Sequence, residues 1–410
     1  MHRRDFLRNT AALSGLALVR VGSNAWAAQN PASGPERLVV VFLRGAVDGL
    51  NVVVPHADKE YYAIRPSIAI APPGHADGAI ELDGHFGLHP QLAALLPLWK
   101  ERSLAFVHAC GSPDPSRSHF EAQAYMESGT PGLKITTDGW LNRVLAALPG
   151  QHPPTEAVNF GPTMPRILHG PMPVASLPSA GGGGGRTAEM TAAPAFHAAF
   201  DEMYSGDDAL SVAYRQGQNA HARLMSDLEQ DMTEAAGGAP SPVGFAQDVE
   251  HFCKLARRDP TIQVGFFALS GWDTHVRQGG AHGALANHLR QLGEGLVQFQ
   301  RGLGPDGYAR TVILVVSEFG RTARENGNAG TDHGHGNAMW VMGGPVRGGK
   351  VYGEWPTLAA GRLHEDRDLA MTTDFRTVAG SVLAQHMKLS SAAIARVFPG
   401  APAGKLSLLA

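Results

Sequence analysis

Cysteine is almost missing from this sequence: its 410 residues hold two, Cys110 and Cys253. They allow at most one disulfide, and a chain of this length does not depend on one for stability. An excess of basic charge is missing as well. The 34 basic and 37 acidic side chains give a formal charge of −3, which argues against a nucleic-acid partner. Beyond the N-terminal region nothing approaches 18 consecutive apolar residues, so no integral membrane span is expected in the mature protein. No repeat at solenoid spacing is present. A G-x-S-x-G elbow is absent around Ser116 and Ser118, which removes the usual serine-hydrolase signature.

The first residues, "MHRRDFLRNTAALSGLALVRVGSNAWAA", place paired arginines before a short apolar stretch, Ala11 to Val19, and an A-x-A end at Ala25-Trp26-Ala27. The pattern predicts an export peptide of the twin-arginine type over residues 1–27, too short to span a bilayer. The expected partner in export is therefore the twin-arginine translocase, and the expected location is periplasmic or extracellular. Removing these residues leaves 383, with 30 basic and 36 acidic side chains and a formal charge of −6.

Short apolar runs of strand length recur at Leu38 to Leu43, Leu104 to Val107, Val264 to Leu269, Val312 to Val316 and Met339 to Met342. Continuous runs of this kind suit strands covered on both faces. Helical periodicity lies between them, from Pro90, from Ala281 to about Leu303, and from Asp374 to about Met387, with Asp374 as N-cap. The alternation predicts an α/β fold with a doubly wound, mostly parallel central sheet and helices on both faces. One domain is expected over residues 35–402. The glycine run Ser179 to Arg186 and the polar sequence after it suggest a helical insertion or cap at about 187–255.

In such folds ligands sit beyond the carboxyl ends of the strands, and those ends carry titratable groups. Asp48 follows the first run, Asp273 and His275 the run at Val264, and Glu318 the run at Val312. The loop "TDHGHG" then adds Asp332, His333 and His335, and its glycines let the two histidines be aimed independently. Carboxylates mixed with imidazoles suit a divalent metal, Zn or Mn before Fe, whereas an all-oxygen set would suit Ca or Mg. His56, Asp58, His75 and His85 read as solvated loop residues, His89 as a helix-entry residue, and Trp272 and Trp340 as packing groups.

Ser116 and Ser118 stand at the start of a predicted helix, where backbone N–H groups favour an anion. Ser118 to Glu121 also forms the Ser-x-x-Glu pattern of a capping box. Ser118 and His119 are adjacent and cannot alone make a Ser-His couple. Arg44 and Arg321 flank the expected ligands and are placed to clamp an anionic ester or to pair with the nearby carboxylates.

Taken in order, "RRDFL", "FLRGAVDGLN", "GLHPQL", "SRSHFEAQ", "GWLNR", "GWDTH", "SEFGRT", "TDHGHGNAMWVMGG" and "TTDFR" resemble the domain-of-unknown-function 1501 family of exported bacterial proteins. That family is similar to the alkaline phosphatase and sulfatase superfamily, which implies an α/β core and metal-dependent hydrolysis of phosphate or sulfate esters. The resemblance implies Asp48, Asp273, His275, Glu318 and His333 or His335 as ligands of one or two ions, and Ser118 as nucleophile. Its implied substrates are small anionic esters or phosphorylated or sulfated polymers. Two departures stand out: Asp273-x-His275 replaces Asp-x-x-x-His, and Glu318-Phe319-Gly320 replaces Asp-His-Gly. They keep open a second expectation, a non-catalytic metal-binding envelope protein; a third, a metal-free serine esterase, requires that chelation leave activity intact.

Overall fold

Among the described residues nine strands build the central sheet: β1 Arg37–Leu43, β2 Leu104–Gly111, β3 Ala157–Phe160, β4 Ala175–Leu177, β5 Val264–Leu269, β6 Thr311–Ser317, β7 Asn337–Gly343, β8 Val351–Tyr352 and β9 Thr373–Asp374. They come from a computed structural model that describes residues 34–180, 206, 208, 211–212 and 232–410. The expected export peptide and most of the expected insertion lie outside the described residues. Residues Glu36–Ala410 form one compact unit.

The strand order is β8-β2-β7-β6-β1-β5-β3-β4, with β9 also paired to β2. Every pairing is parallel except those of β7, which runs against both β6 and β2. This one reversal positions the site. Because β6 runs out at Ser317 and β7 starts back at Asn337, the connection 318–336 begins and ends at the carboxyl edge of the parallel strands.

Alternation along β1 divides the core in two. Val39, Val41 and Leu43 face one layer, which holds helices α3 Phe245–Arg258 and α4 Ala284–Tyr308. Leu38, Val40 and Phe42 face the other, which holds α2 Trp140–Ala147 and α5 Phe375–Gln385. Covered on both faces, the central strands have no polar side to show, which is why they read as unbroken apolar runs.

All five expected strands are present, and the differences among the helices are local. The segment from Pro90 divides into a 3-10 helix, Pro90–Leu95, and an α-helix, Leu96–Lys100. Pro97 has no N–H for the carbonyl of Ala93, which Leu96 N takes instead. His89 is the N-cap, its Nδ1 accepting from Gln91 N at 3.1 Å. The long helix breaks at Gly304 (φ 69°), just before Pro305. Asp374 caps α5 by accepting from Arg376 N at 2.8 Å. The end of the expected insertion, from Phe245, belongs to α3, whose Phe245, Val249 and Phe252 are buried in the core. The core also reaches beyond residue 402, through Leu408 and Leu409. Cys110 and Cys253 are buried, unbridged and in opposite layers.

Candidate metal centre

Helix α1, His119–Ser128, follows the loop after β2 and lies along the carboxyl edge of the sheet. His119, Gln123 and Glu127 stand four residues apart on its buried face, while Phe120 points outward. His119 places Nδ1 2.7 Å from Glu318 Oε1, and its ring lies 4.8 Å from that of Phe319. A carboxylate only accepts, so Nδ1 carries a proton and Nε2 is the atom turned inward.

Two further imidazoles are set in the same way. His333 Nδ1 faces the carbonyl oxygen of Arg117 at 2.8 Å, and His275 Nδ1 faces Asp332 Oδ1 at 3.1 Å. Each Nδ1 therefore donates, and each Nε2 is left to face inward. His333 Nε2 lies 2.9 Å from both His119 Nε2 and His275 Nε2. The carboxylate of Asp273 completes the cluster, with Oδ1 3.0 Å from His275 Nε2 and Oδ2 3.5 Å from His119 Nε2. Oδ2 is buried with no hydrogen-bond partner. Ligating atoms of His119, Asp273 and His333 all lie within 4.8 Å of one another, the one such grouping among the described residues.

Three imidazole Nε2 atoms and a carboxylate oxygen without a hydrogen bond are turned to one point. They fit a divalent cation. The carboxylate or carbonyl behind each imidazole is the usual way a metal-binding histidine is oriented. Arg321 does the same for Asp273, donating from Nη1 to Oδ1 at 2.6 Å.

Burial opposes ionisation of Asp273, but His119, His275, His333 and Arg321 outweigh it and hold the carboxyl well below the ordinary range. Burial likewise works against protonation of His119, yet its bonds to Asp273 and Glu318 lift it to about 9. The hydrogen bond from His275 leads in holding Asp332 down, to about 2. Burial pushes His333 downward. The carboxylates of the cluster thus favour positive charge beside them.

Of the residues expected from sequence, Asp273, His275 and His333 meet in the cluster. Glu318 stands one step out, because Gly45 N, His119 Nδ1 and Gln123 Nε2 all use its Oε1. Asp332 stands behind His275. Asp48 is elsewhere, taken by the buried Arg65 at 2.5 Å. His335 turns away and stacks on His364, with ring centres 4.3 Å apart. Arg44 is tied to Gln123 and Glu127, and Arg321 to Asp273 and Thr331. Ser118 is exposed at the entry to α1 and makes no capping bond. The capping box does not form, since Glu121 bonds Ser116 Oγ and Lys134 instead.

His119 is the residue the sequence reading missed. Its signals were present: it opens a helix just past a strand end, and it starts the i, i+4, i+8 series of His119, Gln123 and Glu127.

The glycines explain how the loop closes. Gly320 N donates to His335 O and Gly334 N to Gly320 O, both at 2.8 Å, so "TDHGHG" lies back against "FGRT". A Cβ on Gly320 would sit 1.9 Å from Gly336 O.

Solved structures with remote likeness include a protein in the alkaline phosphatase superfamily from Vibrio parahaemolyticus, at 10% identity and TM-score 0.40 over 78% of this chain. This chain spans 63% of that structure's length. The lipoteichoic acid synthase LtaP from Listeria monocytogenes matches at 9% identity and TM-score 0.35, over 79% of this chain and 67% of that one. The C-terminal periplasmic domain of EcEptC from Escherichia coli, a complex with Zn, matches at 9% and 0.37, over 77% and 74%. No curated protein matches the sequence. The family described as "Protein of unknown function (DUF1501)" matches residues 35–398, and the chain belongs to it.

Proposed function

We propose that this protein is an exported, divalent-metal-dependent hydrolase of phosphate or sulfate esters. The observation that carries the reading is the convergence of His119, His275 and His333 Nε2 with the unpartnered Asp273 Oδ2, each donor oriented by its own partner. Three nitrogens and one oxygen favour Zn, Mn or Fe over Ca or Mg. A bound ion at this place supplies Lewis-acid stabilisation of an ester oxygen.

The chain's own residues supply the rest. Glu318, Asp332 and the Arg117 carbonyl hold the three rings, and Arg321 holds Asp273. Ser118, exposed one residue before His119, is the hydroxyl offered to phosphorus or sulfur: its oxygen bonds to that atom as the bond to the substrate's alcohol breaks, the alcohol leaving with the serine proton, and water then releases phosphate or sulfate and restores the serine hydroxyl. The substrates are small anionic esters or phosphorylated or sulfated polymers. Export rests on Arg3, Arg4 and the short apolar stretch after them.

The test compares protein stripped by chelator with protein reloaded with Zn2+ or Mn2+, on a panel of aryl phosphates and sulfates. Turnover should require the ion, and Asp273→Ala with His333→Ala should lose both ion and turnover. Retention of both by that double variant would overturn the reading. A second reading, a metal-binding envelope protein without turnover, is favoured by one observation: Arg44 and Arg321 are already engaged by Glu127 and Asp273. Stoichiometric metal with no hydrolysis across the panel would select it.

A further inference from the structure

Behind Asp273 runs a buried chain of side chains that the site as described does not use. Arg65 Nη1 donates to Asp48 Oδ2 at 2.5 Å, and Gln278 Nε2 donates to the same oxygen at 2.6 Å. Gln278 Oε1 accepts from Thr274 Oγ1 at 2.7 Å and from Thr331 Oγ1 at 2.8 Å. Thr331 Oγ1 accepts from Arg321 Nε at 3.1 Å, and Arg321 Nη1 reaches Asp273 Oδ1 at 2.6 Å. Arg65, Asp48, Gln278, Thr331 and Arg321 are all at most 2% exposed.

Each link has one permitted direction. Asp48 accepts only, so Gln278 must turn its amide nitrogen to it and its oxygen to the threonines. Thr331 has a single proton, which goes to Gln278, so its lone pair takes the N–H of Arg321. Arg321 Nη2 is held by the Thr331 carbonyl oxygen at 2.5 Å. The guanidinium is therefore fixed in plane, with Nη1 directed at one oxygen of Asp273. Arg65 closes the far end with Nε on Ala323 O and Nη2 on Thr322 O, both at 2.8 Å.

The geometry points to Asp48, Gln278 and Thr331 as positioning residues that, through Arg321, hold Asp273 Oδ1 and so fix how its carboxylate meets the metal centre. The assignment rests on the reading of the cluster as a metal site. It gives Asp48 the role of anchor in place of ligand.

Co2+ is the probe, titrated into full-length protein stripped by chelator, with affinity and visible spectrum as readouts. Gln278→Glu cannot donate to Asp48, and Thr331→Val keeps the volume but removes the hydroxyl. Both should bind Co2+ on the order of 10–100-fold more weakly, with an altered spectrum. Thr331→Ser restores the hydroxyl and should restore both readouts. Wild-type affinity and spectrum in folded Gln278→Glu or Thr331→Val would overturn the assignment, as would a Thr331→Ser protein as impaired as Thr331→Val. Should Gln278→Glu fail to fold, the valine and serine pair decides alone. A wild-type protein that takes up no Co2+ would instead overturn the metal reading beneath it, which separates the two failures.

Discussion

His119 and His335 make opposite cases at the level of single residues. His119 looks like a helix-entry residue beside Ser118, yet it faces Glu318, Asp273 and His333. His335 belongs to the loop that suggests a metal site, yet it stacks on His364. His119→Ala should therefore lose metal affinity by on the order of 100-fold or more, while His335→Ala stays near wild type. Metal content per folded molecule checks both. Position past a strand end locates the right region, but it does not reveal which neighbour captures each group. Asp48 satisfies the strand-end rule and is claimed by Arg65, whose approach from residues 59–65 leaves no mark near Asp48 in the sequence.

His108 gives a prediction for pH. It is buried on β2, donates to Val53 O, accepts from Ala109 N and stacks on Phe86. Burial pushes its pKa down to about 4 from the ordinary 6.5. The folded state then resists a proton that the unfolded state accepts, so the contribution is full above about pH 6.5 and is lost as pH falls towards 4. The loss amounts to roughly 3 kcal/mol. Denaturant titrations at pH 7 and 4.5 should show a smaller acid loss for His108→Gln than for wild type, although the variant is less stable at pH 7.

Elements explain what single residues do not. On α1, positions 119, 123 and 127 set polar side chains along one buried face. A buried polar stripe at helical spacing is a stronger functional sign than an apolar one, because each group needs a partner. The strands were legible because continuous apolar runs have few alternatives in a covered sheet. The closure of residues 318–336 was not, since it depends on backbone approaching backbone across the loop. Gly320→Ala tests that closure: its methyl would meet Gly336 O. The expected cost is about 3 kcal/mol, with metal lost as well. Gly327→Ala in the same loop has open space around it and should stay within about 0.5 kcal/mol of wild type. Denaturant midpoints and metal content distinguish the two.

At the scale of the whole molecule, the two thiols lie in opposite core layers with the sheet between them. Folding therefore needs no oxidant and can finish in a reducing compartment, which suits an export route that carries folded cargo. Replacing Arg3 and Arg4 by lysine should leave uncleaved protein in the cytoplasm, and that protein should be folded, with a Tm unchanged by reductant. Fractionation and thermal melts with and without a thiol reagent check this. Secretion of the lysine variant in mature form would count against the twin-arginine route.

The single reversed strand, β7, has a consequence for how an ion would be captured. It ties both ends of residues 318–336 to adjacent strands, with Trp340 in register with Val315, so Glu318, Arg321, Asp332 and His333 are held by a short span fixed at either end. Little chain entropy is then left to lose on capture. The sheet itself holds these residues in place, and uptake should proceed as a docking event rather than a folding one.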